Sequence, residues 1–528
     1  MFWADSIVDD FLAAYEEEAG KRKLILRDEK TLSGRPHVGS LRSFVMHAVL
    51  SDVLHSRGVD NVFYYEINDT DAFDSVPSYV DSSWSEHLGK RLKDVPSPDG
   101  KAENYAIYFA NEYTEVLKDA KFNVEFYVSS ERYEAGEYDK YIALALDNKD
   151  KIREIYKEVS GSQKDESWYP CQVICDGCGK IATTRVTGWD GEKVQYSCDA
   201  KLKYTQGCSH SGEKSPFGGN ATMPWKVEWA AKFCVVKVDL EGAGKDHYAA
   251  GGSRHVSNRI CEEVFDHKHP FDVRHEFILM EGSKMSSSSG VGATAVDLYQ
   301  LLPRYLFRFM MIQKDVMKTI NFSPDGDTIP VLFDQYDEAC NDYFNGGEDV
   351  IEHKNRIFEF THYYEDDIKK RNRFLPRFSQ ISFYSQMPHV DMEKRVEEMK
   401  GAELNDLDKE ELELRVKYSE KWLETCSPEK YIYKLREDLP EECANLDEEQ
   451  KGFLKLLAEY LEENPAATGH DVQTFIHDKK KELGFQPAVI FRAIYASLLG
   501  KDSGPKAGWL IEALDNQFLI NRFKEAAK

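Results

Sequence analysis

Basic residues are the first shortage that narrows the field: 68 Lys and Arg stand against 93 Asp and Glu, a formal charge of −25 over 528 residues. That deficit excludes a general nucleic-acid coat, because repulsion opposes phosphate approach unless local basic patches supply the contacts. No apolar run reaches the length of a membrane span, so no spanning helix is expected. The first 23 residues lack the basic start and unbroken apolar core of a secretory signal. Instead Asp5, Asp9, Asp10, Glu16, Glu17 and Glu18 are interleaved with Phe2, Trp3, Ile7, Val8, Phe11 and Leu12. This is an acidic amphipathic helix, and a cytoplasmic protein is expected. Internal repeats and low-complexity tracts are missing, which excludes solenoids and leaves several ordinary domains. Cysteines are few, ten in all, and five fall between Cys171 and Cys208. A disulfide framework is excluded by that scatter, and a metal site suits it better.

What is present begins with a strand, a loop and a helix. Lys23 to Arg27 has the composition of a buried strand. Thr31 to Ser40 then holds two glycines and a proline and reads as a tight loop. Leu41, Phe44, Val45, Ala48 and Val49 recur on one helical face. Such a unit offers backbone N–H groups and a helix N-terminus at the carboxyl edge of a parallel sheet, a phosphate-binding arrangement. The loop matches neither GxGxxG nor GxxxxGK[ST], so the ordinary dinucleotide and P-loop readings fail.

Further strands are expected at Asn61–Ile67, Phe122–Val128, Phe233–Val238 and around Glu276–Met280. A loop at 241–247 and a helix through Val264 separate the last two. From about residue 310 the strand signals vanish, and faces such as Phe453, Leu456, Leu457, Tyr460 and Leu461 predict helices. The expected division is 1–160 and 223–310 as two halves of one parallel-sheet domain, 161–222 as an insertion, and 311–528 as a helical region.

The insertion carries the metal signal. Cys175-Asp176-Gly177-Cys178 is a CxxC knuckle, and Cys198 and Cys208 supply a second pair. Four thiolates fit a closed tetrahedral zinc site that folds a segment lacking its own core. Cys171 lies too early for the knuckle, and His210 is the alternative to Cys208.

Two distant segments give the chain its likeness to a known family. Pro36-His37-Val38-Gly39-Ser40 resembles the HIGH signature of class I aminoacyl-tRNA synthetases, and Lys284-Met285-Ser286-Ser287-Ser288 resembles their KMSKS signature, with serine in place of the second lysine. Between them lie Gly242-Ala243-Gly244-Lys245-Asp246-His247 and Gly251-Gly252-Ser253-Arg254. Together they resemble the class I lysyl-tRNA synthetases of archaeal type. The resemblance implies a Rossmann-like α/β catalytic domain with a zinc-binding insertion, then an all-α region that contacts the tRNA stem and reads the anticodon. It implies ATP with Mg2+, Zn2+ as a structural ion, lysine and tRNA(Lys) as substrates, and a monomer free of membranes.

By the same resemblance His37, Gly39, Ser40, Lys284, Ser286 and Ser287 are catalytic. Gly34, Pro36, Gly251, Gly252, Ser253 and Met285 join His37, Gly39 and Lys284 in holding ATP. Asp28, Glu29, Thr31, Trp229, Asp246, His247 and His275 surround lysine, whose ammonium needs a carboxylate and whose methylenes need aromatic walls. Arg27 pulls toward a glutamyl enzyme, which uses arginine there for its acidic substrate, and relatives often carry tyrosine where this chain has His275. A glutamyl or cysteinyl enzyme and a non-catalytic RNA-binding paralogue remain the alternatives. Phe485, Phe491, Tyr495 and Trp509, beside Lys479, Lys480, Lys481, Arg492, Lys501 and Lys506, are the mixture that stacks single-stranded bases. The run Lys369-Lys370-Arg371-Asn372-Arg373 is a further phosphate candidate.

Overall fold

The computed structural model describes residues 1–280, 283–284, 294–346, 352–387 and 390–528. Five strands form its main sheet: β1 (Leu24–Thr31), β2 (Asn61–Asn68), β3 (Glu125–Val128), β4 (Leu240–Gly244) and β5 (Phe271–His275). Their order is β5-β4-β1-β2-β3, and every neighbouring pair is parallel. The chain winds outward from β1 through β2 to β3, then crosses back to lay β4 and β5 on the other side. The reversal leaves a crevice beyond the carboxyl ends of β1 and β4, the place where doubly wound sheets bind ligands.

Residue alternation on β1 decides what faces each side. Leu26, Asp28 and Lys30 are in register with Phe63, Tyr65 and Ile67 of β2. This face is covered by helix α2 (Ser40–Ser56), whose residues 44 to 50 are all buried, His47 among them. Phe44 meets Tyr65 edge-on at 5.1 Å and His47 stacks on Phe63 at 5.6 Å. Helix α1 (Trp3–Ala14) is shorter than the 23-residue amphipathic segment. It buries Trp3, Val8 and Phe11, and the Trp3 indole donates to the Ile312 carbonyl at 2.8 Å.

The opposite face of β1 meets helix α3 (Trp225–Val236). Here the structure corrects the sequence reading: Phe233 to Val236 end a helix, and the strand is β4, a few residues later. The run is buried on all sides, so apolar periodicity could not separate helix from strand. Helix α4 (Ser253–Glu263) follows β4 and packs beside α3. A small second sheet pairs Ile278–Met280 antiparallel with Ser283–Lys284 and parallel with Ile320–Phe322.

The chain divides into two compact units: Met1–Phe322 with Asn345–Asp366, and Ser323–Phe344 with Asp367–Lys528. The expected change at 311 therefore falls inside the first unit, because Ile320–Phe322 completes its small sheet. Antiparallel ladders of Arg185–Trp189, Val194–Ser197 and Ser211–Lys214 form the insertion. The second unit is helical among its described residues, with Leu454, Leu457, Ile490, Ile494, Leu510 and Phe523 in its core.

Candidate active site

A cavity of about 380 Å³ opens at the crevice. Asp28, Glu29 and Thr31 reach it from β1, His37, Gly39 and Ser40 from the following loop and start of α2, and Trp229 from α3. Asp246, His247 and His275 complete that part of the wall. Ten residues chosen from the sequence thus share one cavity. Lys30, Ser43, Tyr65, Trp225, Glu241 and Phe277 also line it and were not anticipated. For Lys30 and Tyr65 the available signal was strand alternation, which places Lys30 on the face of Asp28.

The loop leaving β1 is held in two ways. The Gly39 amide donates to His37 Nδ1 at 3.0 Å, and a Cβ on Gly39 would lie 2.5 Å from the imidazole. Glycine is therefore what lets the ring fold over the helix start. The Ala295 amide donates to the Pro36 carbonyl at 2.9 Å, and His37 forms an isolated antiparallel bridge with Thr294. Lys284 is paired through its backbone with Leu279. Both flanks of the serine-rich segment are anchored in this unit, one of them on the His37 loop. Met285, Ser286 and Ser287 lie outside the described residues, so no contact is assigned to them.

Gly34 and Pro36 belong to the loop rather than to the cavity wall. Gly251, Gly252 and Ser253 likewise stand behind the wall, at the start of α4. A Cβ on Gly252 would come 2.3 Å from the His247 carbonyl, and Ser253 Oγ is 2.8 Å from His247 Nδ1. The glycine permits the close approach that fixes His247 at the cavity.

Behind the α3 side of the cavity lies a buried ionic network. Arg27 reaches Glu29 and Glu66 at 2.5 Å and Glu241 at 2.6 Å. Lys232 contacts Glu29 at 2.6 Å, Glu66 at 2.8 Å and Glu228 at 3.7 Å. Arg254 ties Glu241 at 3.1 Å to Asp272 at 2.6 Å. Burial alone would raise Glu66, yet Arg27 and Lys232 hold its carboxyl well below the usual range. Burial pushes Glu228 up to about 7, against the opposing charge of Lys232. Arg27 is committed to three carboxylates, so it does not serve as the cation for an acidic substrate. The Trp229 indole donates to Glu241, which fixes that aromatic wall.

Three polar side-chain atoms of residues lining the cavity have no hydrogen-bond partner among the described residues: Asp28 Oδ2, His275 Nε2 and Ser40 Oγ. Burial raises Asp28 to about 7, although the Glu29 amide donates to its other oxygen at 2.9 Å. His47 Nδ1 stands 3.7 Å from Asp28 Oδ2 but also 2.9 Å from the Ser43 carbonyl. Its Nε2 accepts from the Gly242 amide at 2.8 Å, which makes the ring a neutral tie between α2 and β4. Burial holds His47 and His275 down to about 4. His275 Nδ1 faces the Glu276 carbonyl at 3.0 Å, so a neutral ring presents the lone pair of Nε2 to the cavity.

In the insertion, the sulfurs of Cys175, Cys178, Cys198 and Cys208 all lie within 4.8 Å of one another. Cys175 and Cys208 are 3.6 Å apart, and Cys178 and Cys198 3.7 Å. A tetrahedron with metal–sulfur arms of about 2.3 Å sets its sulfurs about 3.8 Å apart. The donor set therefore fits a thiophilic metal ion. Cys171 is buried in the neighbouring core, and His210 is not one of the four.

A reversed parallel sheet, a glycine-bearing helix start at its switch point and a second anchored segment beside it define an ATP-using catalytic domain of the class I aminoacyl-tRNA synthetase kind. The family profile described as tRNA synthetases class I (K) matches residues 1–364, and the chain belongs to that family. It is 30% identical to the lysine–tRNA ligase of Methanosarcina barkeri, over 99% of this chain and 97% of that protein. It is 31% identical to lysine–tRNA ligase 1 of Methanosarcina acetivorans, over 100% of this chain and 98% of that protein. A glutamate tRNA ligase structure from Elizabethkingia meningosepticum aligns with 96% of this chain and 99% of its own, at 13% identity and a TM-score of 0.41, and adds nothing to the assignment.

Proposed function

We propose that the cavity is the site at which lysine is activated and passed to tRNA. The protein is an ATP-dependent lysine–tRNA ligase. A carboxylate oxygen of lysine attacks the α-phosphorus of ATP, the bond to the bridging oxygen breaks, and pyrophosphate leaves. A ribose hydroxyl at the 3′ end of tRNA(Lys) then attacks the carbonyl carbon of lysyl-adenylate, and AMP leaves. Alignment and charge neutralisation supply the rate in such phosphoryl chemistry.

The observation that carries the reading is the unpartnered carboxylate oxygen of Asp28 in the cavity wall. Asp28 takes the side-chain ammonium of lysine, since a buried carboxylate oxygen without a donor is costly until a cation arrives. Trp229 walls the methylenes, and Thr31, Glu29, Asp246, His247 and His275 surround the rest of the amino acid. His37, Gly39 and Ser40 hold phosphate at the start of α2, with Gly34 and Pro36 shaping the loop. Gly251, Gly252 and Ser253 support the ribose. Lys284, with Met285, Ser286 and Ser287, meets the leaving pyrophosphate, and Mg2+ accompanies the phosphates. Zinc is the ion for the four cysteines. The enzyme acts as a cytoplasmic monomer, its helical region contacting tRNA. No helix among the described residues is long and apolar enough to cross a membrane.

Lysine-dependent ATP–pyrophosphate exchange, run with tRNA(Lys) present because some class I enzymes need tRNA for activation, tests the reading. Exchange with lysine and not with glutamate or cysteine is the expected result. Exchange with no amino acid would identify an inactive paralogue.

A further inference from the structure

Lys30 stands two residues beyond Asp28 on the same face of β1, about 7 Å further along the strand. It is half-buried and lines the cavity. No hydrogen bond or ion pair engages it among the described residues, although the charge of Asp28 is close enough to be felt. In a chain with 25 excess negative charges, and with Arg27, Lys232 and Arg254 each committed to at least two carboxylates, an uncommitted ammonium in a cavity is exceptional. A buried cation without a partner costs free energy unless an anion joins it. Burial lowers its pKa accordingly.

Its face of β1 is the one covered by α2. His37, Gly39 and Ser40, at the start of that 17-residue helix, line the same cavity. Two features therefore favour negative charge in one place: the positive end of the α2 dipole and an ammonium that no described residue pairs. The serine-rich segment, by contrast, has lost the second lysine of its signature.

We propose that Lys30 is a catalytic residue of this enzyme, its ammonium donating to a non-bridging oxygen of the α-phosphate as lysine attacks. This rests on the reading of the cavity as the activation site. Attack brings a fifth oxygen to phosphorus and gathers charge on the equatorial oxygens. Lys30 stabilises that charge without giving up its proton, and the electron pair of the breaking bond leaves with pyrophosphate. Asp28 and Lys30 then form two seats of opposite sign on one strand, matching the ammonium and the phosphate ends of lysyl-adenylate.

The test is lysine-dependent pyrophosphate exchange by the full chain with tRNA present, comparing wild type, Lys30→Met and Lys30→Arg. The expected result is a fall in kcat of about a hundredfold for Lys30→Met, with KM for lysine within threefold of wild type. Lys30→Arg restores at least a tenth of the wild-type rate, because the charge returns. The melting temperature of Lys30→Met does not fall, because the methionine removes an unpaired cation and no contact. Unchanged kcat, or a loss confined to KM for lysine or ATP, overturns the proposal. So does a fall in melting temperature that matches the loss of activity. A wild-type enzyme without lysine-dependent exchange defeats the activation-site reading itself, a result distinct from any difference among the variants.

Discussion

Lys232 touches Glu29, Glu66 and Glu228 and is 1% exposed. Its removal leaves the buried Glu228 with no cation and takes from the buried Glu66 one of its two, Arg27 being the other. Breaking a buried pair from one side typically costs about 3–5 kcal/mol, because the remaining charge has no water to return to. Lys232→Met is expected to lower stability by that amount, read as a shift in the urea midpoint at constant slope. Asp28 makes the opposite case. Its carboxyl is raised from the ordinary 3.8 to about 7, so below about pH 4 both folded and unfolded chains hold its proton and it costs nothing. Between pH 4 and 7 the unfolded chain releases the proton while the folded one keeps it, and stability falls by about 1.4 kcal/mol per pH unit. Asp28→Asn escapes that loss, so its melting temperature should exceed that of the wild type by a margin that widens from pH 4 to 7 and then stays level. On the proposal that Asp28 receives the lysine ammonium, the ionised form is the one that binds, so KM for lysine in the wild type should fall toward pH 7, whereas Asp28→Asn should show a high, pH-independent KM.

At the scale of elements, the β1 loop and α2 work as one piece because Gly39 leaves room for the His37 ring. Gly39→Ala would place a methyl group 2.5 Å from the imidazole carbon and push the ring off the helix start. The expected outcome is at least a tenfold loss of kcat in pyrophosphate exchange with little change in melting temperature, because the helix itself accepts alanine. The insertion depends on its thiolates in a different way. Its strands are short, and four of its sulfurs are gathered around one point. Removing the metal with a thiol-compatible chelator should abolish hydrogen-exchange protection at 185–214 while the amides of β1 and β2 keep theirs. The strand, loop and helix at 24–56 could be read from the sequence because glycine and proline punctuate them, Leu24-Ile25-Leu26 has the composition of a buried strand and α2 repeats its apolar residues at helical spacing. The four-cysteine cluster could be read because its spacing is local. Residues 225–244 could not: Glu228 and Lys232 are polar yet buried inside α3, so the helix has no polar face to reveal its period. Arg27 was equally opaque. Its partners Glu66 and Glu241 stand 39 and 214 residues away, and only folding shows that three carboxylates have already claimed it.

At the scale of the whole chain, the first unit is discontinuous, and that has a measurable consequence. Residues Asn345–Asp366 return to it after the chain has entered the second unit. Phe360 is 1% exposed and stacks on Phe2 at 5.6 Å, and Phe358 is fully buried. The Arg308 guanidinium, also fully buried, donates to the carbonyls of Thr361 and Phe360 at 2.8 Å each. Arg356 pairs with Asp5 of α1 at 3.0 Å. A chain ending at residue 322 would keep Phe2 and Arg308 but lose the stacked Phe360 ring from the first and two carbonyl acceptors from the second. Two exposed aromatic contacts and a guanidinium stripped of two acceptors amount to several kcal/mol. A chain ending at residue 366 retains the returning segment. The shorter version should therefore melt at least 10 °C below the longer one, or fail to remain monodisperse, when the two are compared by calorimetry and size exclusion. Equal melting temperatures would mean that the returning segment contributes nothing to the catalytic unit, and that the boundary lies at 322 in energy as well as in sequence.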